Sequence, residues 1–259
     1  MTSFSQILAV IPARYESTRF PGKPLADIYG KPMIQHVWER VCAVLPTEQV
    51  IVATDDARIY SVVESFGAIA AMTKSTHESG TDRVWEVASN RPEFDWVLNV
   101  QGDEPFLPTD HIQKLCQASE TASYSDADIL TLVTPITDVE EWQNPNSVKA
   151  VLGQNKQALY FSRAAIPFNR NAPKQLPAQT YRHLGLYLYR RQALQTITDA
   201  CPHPLEYTEK LEQLRALALG FCIQADVVEN TPTGIDTPED LHLLLNQTPS
   251  ASCHSVKAK

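Results

Sequence analysis

A doubly wound, mostly parallel α/β sheet is the fold class this sequence predicts, and three observations predict it. Short, continuous apolar runs recur at 7–11, 50–54 and 96–100, each the length of a strand covered on both faces. Stretches with apolar residues at helical spacing separate them. Each run also ends abruptly in a polar loop, and this βαβα rhythm implies a parallel sheet with right-handed crossovers.

The elements follow in order. After the run at 7–11 and a polar loop, Pro32 opens a helix whose Ile34, Val37, Trp38 and Val41 share one face. Residues 50–54 form the next strand, stopped at Asp55-Asp56. Ile59, Val62, Val63 and Phe66 then mark a helix that Gly67 ends. Residues 68–72 complete a third unit. Val84, Val87 and Ala88 mark a further helix, 96–100 a further strand, and Ile112, Leu115 and Cys116 the helix after it.

The second half changes character. Residues 147–152 and 158–161, joined by a turn at 153–156, read as a hairpin. An aromatic-rich strand at 181–189, a helix at 205–219, a strand at 221–228 and a helix at 238–244 follow. One α/β domain is therefore expected over 1–247: a mostly parallel half over about 1–135, and an antiparallel half over about 136–247 that forms a lobe over the cleft. Residues 169–179, rich in Pro and Asn, read as a mobile loop, and 248–259 as a disordered tail.

Composition narrows the function. The chain has 259 residues, 43% of them hydrophobic, which is ample for a core. Thirty acidic against 22 basic residues give a net charge of −8, which argues against nucleic acid or an anionic membrane surface as the main partner. A local anion site stays open. No apolar run approaches the roughly 20 residues of a membrane span, and 7–11 is too short for a signal-peptide core. Five cysteines, odd in number and without a C-x-x-C pair, suit reduced thiols in the cytoplasm. No H-E-x-x-H pair is present, and a structural zinc site is not expected.

The loop at 12–24, PARYESTRFPGKP, gathers Arg14, Arg19 and Lys23 with Ser17, Thr18 and Gly22 at the carboxyl end of the first strand. In open α/β sheets ligands collect there. Arginine binds phosphate oxygens in pairs, lysine adds a point charge, and loop amides add donors, so the loop suits a polyphosphate. A solvated basic loop is the plainer reading, but prolines on both sides of Gly22-Lys23 direct that lysine. The loop matches neither G-x-G-x-x-G nor G-x-x-x-x-G-K-[ST]. Asp103 directly follows another strand, and Asp236 precedes the last helix. Magnesium is held by one or two carboxylates plus phosphates and waters, which two such aspartates satisfy if the fold joins them. Otherwise Asp236 caps a helix and Asp103 organises a turn.

Eight stretches together resemble one family. They are PARYESTRFPGKPLADIYGKPMIQHV at 12–37, HESGTDR at 77–83, VQGDEP at 100–105, NPNSVKAV at 144–151, ALYFSRAAIPF at 158–168, RHLGLYLYR at 182–190, LEQLR at 211–215 and TGIDTPEDL at 233–241. In this order and spacing, over about residues 7–244, they resemble the 3-deoxy-manno-octulosonate (Kdo) cytidylyltransferases. The resemblance implies a nucleotide-diphospho-sugar transferase fold, a homodimer, and transfer of CMP from CTP to Kdo for lipopolysaccharide biosynthesis. It assigns nucleotide binding to the first half, and sugar binding with dimerisation to the second.

By the same resemblance Arg14, Arg19 and Lys23 hold the triphosphate, while Ser79, Gly80, Arg83 and Gln101 lie along the cytidine side. Asp103 and Asp236 ligate Mg2+. Arg163, His183, Tyr187, Glu212 and Gln213 line the sugar pocket. The implied reaction is in-line attack on the α-phosphate, with Arg14, Lys23, Asp103 and Asp236 as the catalytic set and no protein base required.

Plainer readings stand beside several of these. Tyr187 and Tyr189 also suit strand packing, His183 a hydrogen-bonded core histidine, and Glu212 a surface charge paired with Arg215. Leu188, where the family often has a small residue, is expected on the strand face opposite Tyr187. The competing functions are a cytidylyltransferase for 8-amino-Kdo or a sialic acid, an activator of neutral sugar phosphates, and a nucleotide-binding regulator without catalysis.

Overall fold

The computed structural model of the chain describes residues 4–17, 20–229, 234–235 and 237–246. The first strand, β1 (Ile7–Ala13), is followed by the basic loop and two short paired strands, β2 (Asp27–Ile28) and β3 (Lys31–Pro32). Then come α1 (Met33–Cys42), β4 (Val50–Thr54), α2 (Ala57–Ser65), β5 (Ile69–Met72), α3 (Gly80–Ser89), β6 (Trp96–Asn99) and α4 (Thr109–Ser119). The remainder comprises β7 (Ile129–Pro135), α5 (Val139–Gln143), β8 (Lys149–Leu152), β9 (Ala158–Ser162), β10 (Tyr181–Arg190), α6 (Arg191–Asp199), α7 (Pro204–Glu209), α8 (Gln213–Ala218), β11 (Ile223–Val227) and α9 (Pro238–Asn246).

One large sheet runs in the order β11-β7-β10-β6-β1-β4-β5, with the β8–β9 hairpin attached to β10. The pairs β6–β1, β1–β4, β4–β5 and β11–β7 are parallel. Among the described strands of this sheet, β10 and β9 run against that direction, while β8 lies antiparallel to β10 and so runs with the parallel set. Alternation along β1 fills two layers. Ala9 and Ile11 pack with α1 and α4 on one face, while Leu8 and Val10 pack with α3, α6 and α8 on the other. Leu188 faces the first layer and Tyr187 and Tyr189 the second, as the strand period requires.

Three expectations change in detail. Pro32 caps α1 from outside with an extended backbone and is not its first residue. The strand β7 has no counterpart in the sequence reading, although it is buried along nearly its whole length. The helix expected over 205–219 is two helices, because Lys210 adopts the left-handed conformation (φ 55°) and ends α7. That break has a reason. Residues 206 and 215 would point to opposite sides of one continuous helix. Across the break, Arg215 Nε and Nη2 instead donate to both oxygens of Glu206, at 2.8 and 2.7 Å. Arg215 thus pairs with Glu206 and not with Glu212.

The loop 169–179 is irregular, braced where Ala172 N donates to Asn169 Oδ1 and Asn169 Nδ2 to Gln175 O. The tail 248–259 lies outside the described residues.

A buried cation anchors α3. Arg83 is fully buried, and its guanidinium donates to Asp55 Oδ2 at 2.7 Å and to Thr73 Oγ1, residues that follow β4 and β5. Removing one partner of such a pair strands a charge away from water. Arg83→Met is expected to lower the unfolding free energy by about 3 kcal/mol, read from urea denaturation followed by circular dichroism.

Candidate active site

From β1 the chain winds outward to β4 and β5, then returns to the other side of β1 as β6. The carboxyl ends of β1 and β6 therefore flank a switch point, where an open α/β sheet forms a crevice. A cavity of about 390 Å³ fills it, lined by Arg14, Glu16, Lys23, Gly80, Gln101 and Asp103, among others.

Backbone requirements shape its walls. A Cβ on residue 102 would stand 2.8 Å from the Pro12 carbonyl oxygen, so glycine alone lets the two strand ends come this close. Gly22 sits at φ 72° and donates its N–H to Tyr15 O at 2.8 Å, turning the basic loop back on itself. The Arg58 guanidinium lies over the Tyr15 ring at 3.3 Å and pairs with Asp56, which pins the loop from outside.

The charges inside follow from that frame. Lys23 is only 8% exposed, and its Nζ donates to Asp103 Oδ2 at 2.9 Å. The Asp103 side chain remains 41% exposed toward the cavity. Arg14 Nη2 is shielded from water and, among the described residues, meets no acceptor, a donor held on the cavity wall. At the floor, α3 begins with a capping box. Ser79 Oγ accepts from Asp82 N at 3.1 Å, and Asp82 Oδ2 accepts from Ser79 N at 3.2 Å. The positive end of this helix thus faces the cavity at Gly80. On its other side Ser79 and Asp82 line a second cavity of about 490 Å³, shared with Glu206, Tyr207, Lys210 and Glu212.

Strand β10 brings the second half to this place. Tyr187 pairs with Asn99, so residues 183–186 run past the end of β6 toward Gln101. There the register shifts between Leu184 and Tyr187, and a Cβ on Gly185 would lie 3.9 Å from Gln101 Cγ. The buried Thr131 holds the bulge. Its hydroxyl lies 2.8 Å from Leu186 O and 3.1 Å from His183 Nε2. With its proton directed at a carbonyl, the hydroxyl accepts from His183 Nε2–H, which fixes the tautomer. The His183 ring meets Phe161 edge-on at 4.8 Å and Tyr187 at 5.2 Å, and Tyr187 stacks on Tyr189 at 5.4 Å. Burial pushes the His183 pKa down to about 3.

Of the residues expected in one site, Arg14, Lys23, Gly80, Gln101 and Asp103 share the first cavity, and Ser79 faces the neighbouring one. His183 and Tyr187 touch each other, and Glu212 and Gln213 line a water-sized space of about 10 Å³ with Ser79. Arg19 and Asp236 lie outside the described residues. Position 235 is described, and Ile235 N donates to Asp103 O at 3.4 Å, which brings that segment against Asp103.

Two arginines are placed otherwise than expected. Arg83 does not line the cavity, because Asp55 and Thr73 engage its guanidinium in the protein interior. The Arg163 guanidinium donates to the main-chain carbonyls of Glu209 at 2.7 Å, Pro145 at 3.0 Å and Lys210 at 3.4 Å, a brace between segments. Thr131 and Glu209, which accepts from Ser162 Oγ and Arg163 N, carry no sequence signal that marks them.

One titration follows. In the unfolded chain His183 regains its ordinary pKa near 6.5, so it binds its proton before the folded form does. Its contribution to stability is present above about 6.5 and is lost as pH falls toward about 3. The ring should show no protonation step by NMR between about pH 5 and 8, and His183→Gln should flatten the acid limb of the stability curve.

Comparison with known proteins agrees on one family. A family model described as cytidylyltransferase matches residues 8–224. A Parabacteroides distasonis protein named 3-deoxy-manno-octulosonate cytidylyltransferase is 46% identical, over 93% of this chain and 97% of its own. A Pseudomonas syringae protein of the same name is 48% identical, over 90% of this chain and 94% of its own. The solved structure of CMP:2-keto-3-deoxy-manno-octonic acid synthetase complexed with CTP is similar with a TM-score of 0.86 at 43% identity, over 93% of this chain and 97% of that one. A cytidylyltransferase from Leptospira borgpetersenii, 15% identical with a TM-score of 0.60, shares the fold.

Proposed function

We propose a specific reaction for this chain, which belongs to the cytidylyltransferase family: transfer of CMP from CTP to the anomeric C2 hydroxyl of Kdo, giving CMP-Kdo and pyrophosphate for lipopolysaccharide synthesis. The observation that carries it is the single cavity at the β1–β6 switch point. There Arg14, Lys23, the N-terminus of α3 and Asp103 converge. A triphosphate needs cations and amide donors, and a phosphate oxygen supplies the acceptor that Arg14 Nη2 otherwise lacks.

In the reaction the C2 oxygen attacks the α-phosphorus in line, the bond from that phosphorus to the oxygen bridging the β-phosphate breaks to release pyrophosphate, and the hydroxyl proton passes to solvent as the new bond forms. Lys23 and Arg14 neutralise charge as it moves onto the pyrophosphate. Their value is high because Lys23 is nearly buried and held in place by Asp103. Gln101 and the bulge at Gly185 adjoin, so the nucleotide and the sugar acceptor meet between β6 and β10.

Magnesium belongs to this reading. Asp103 offers hard carboxylate oxygens to the cavity, and the chain before Asp236 lies against Asp103, which fits the donor set that magnesium takes. Asp103 and Asp236 would hold the ion, which supplies charge neutralisation and lowers the pKa of a bound hydroxyl. Kdo as acceptor, in preference to 8-amino-Kdo or a sialic acid, rests on the names of the relatives. A cytoplasmic homodimer completes the proposal. Among the described residues no helix is long and apolar enough to cross a membrane, and four cysteines are unpaired.

The test is pyrophosphate release from CTP and magnesium with Kdo, 8-amino-Kdo and a sialic acid offered in turn. Release with Kdo supports the reading. Release with another acid alone, or CTP binding without any release, overturns it. Lys23→Ala is expected to lower turnover about 100-fold, and Asp103→Asn to abolish magnesium-dependent turnover, both read from pyrophosphate release.

A further inference from the structure

One hydroxyl joins the two sides of the cleft. Thr81 is the second residue of α3, 8% exposed, and its Oγ1 donates to Glu212 Oε2 at 2.5 Å across 131 residues of chain. The helix that carries Thr81 presents Gly80 to the anion cavity and Ser79 to the second one. Its first turn carries the capping box at Ser79 and Asp82 and leads into the buried Arg83. Glu212 stands just past the left-handed residue Lys210 and opens α8, so its carboxylate is placed by a kinked segment and not by a long helix.

Around this contact the packing leaves about 10 Å³, room for one water, between Ser79, Thr81, Tyr189, Glu212 and Gln213. The Tyr189 phenol also feels the Thr81 hydroxyl. Glu212 is itself exposed and also borders the larger cavity, so a fixed donor is what aims its carboxylate. The structure gives it Thr81.

We propose that Thr81 is a positioning residue that couples the two substrates: an anion seated on the first turn of α3 fixes Thr81, and Thr81 holds the Glu212 carboxylate in the orientation that receives the acidic sugar. The inference rests on the reading of the chain as a Kdo cytidylyltransferase. It adds that nucleotide and sugar each tighten the other's binding through this single hydrogen bond. Such coupling is reciprocal, because both ligands bias the same contact.

The contact also predicts a pH signature. Partial desolvation where the carboxyl packs against Thr81 raises the Glu212 pKa, and the hydrogen bond from Thr81 lowers it in part. Without that donor the carboxyl holds its proton to higher pH, so the acid limb of sugar binding moves upward.

Three variants test this in steady-state pyrophosphate release and by calorimetric titration of CTP. Thr81→Val keeps the shape and removes the donor, and Thr81→Ser keeps the donor and removes the methyl. The expected result for Thr81→Val is a KM for Kdo raised about tenfold and an acid limb of that KM shifted to higher pH. CTP affinity without sugar should stay within about twofold, and the mutual effect of the two substrates on each other's KM should vanish. Thr81→Ser should restore all of these.

An unchanged KM and pH profile in Thr81→Val would overturn the proposal. So would equal damage in both variants, which would mark the methyl's packing as the cause. Should Thr81→Val not fold, Thr81→Ala against Thr81→Ser makes the same comparison. Failure of the wild-type chain to use Kdo at all would instead overturn the proposed function, and that result is distinct because it appears before any substitution.

Discussion

The approach of residue 102 to the Pro12 carbonyl, closer than any side chain permits, is the constraint on which the site depends. It brings the loop after β6 directly against the end of β1. Asp103 then falls within 2.9 Å of Lys23, although 80 residues separate them. A larger residue at 102 would push apart the walls that supply the anion-binding cations and the carboxylate. The switch in strand order opens the crevice, and the missing Cβ decides how closely its two sides meet.

The antiparallel strand β10 solves a second geometric problem. Parallel strands all deliver their loops to one end of the sheet, and a residue from the far half of the chain must reach the same end. By running between β6 and β7 in the opposite sense, β10 begins at that end. It lays His183 and Gly185 beyond the last pair of β6 before entering the core at Tyr187. The two halves of the sequence therefore share one sheet, with β10 inserted between strands of the first half. Thr131 supports the bulge, its hydroxyl lying 2.8 Å from the Leu186 carbonyl and 3.2 Å from that of Leu184.

Much of this was legible in the sequence wherever a local rule suffices. The strand 50–54 and the hairpin at 149–162 follow from apolar runs and turn residues. The basic loop and Asp103 stood out because prolines direct Lys23 and the carboxylate directly follows a buried strand, and the fold sets both on one cavity wall. β7 was not, because its ILTLVTP run follows only a short turn at 122–124 and has no clear helix boundary before it. The kink at Lys210 was hidden for the opposite reason. The stretch around it keeps good helix formers throughout, and only the pairing of Glu206 with Arg215 reveals the break.

Side-chain roles divide along the same line. Arg83 and Arg163 occur in motifs, and sequence can say that a guanidinium is needed but not whether its partner is a ligand or the protein itself. Here Arg83 reaches the interior carboxylate of Asp55, and Arg163 reaches three main-chain carbonyls. Lys149 does the same with the carbonyls of Asn144, Ser147 and Arg163, all within 2.8 Å, and burial lowers its pKa. These cations are fully enclosed or engaged, and they brace the segments that hold the site. Arg14 differs in place: among the described residues its shielded nitrogen has no acceptor and stands on the wall of the cavity, whereas Arg83 Nε, likewise without a partner, lies in the interior. An unsatisfied donor beside a half-exposed carboxylate and a buried lysine is costly in a resting fold. A site that must receive a polyphosphate has reason to keep it, because the ligand's oxygens satisfy what the protein leaves open.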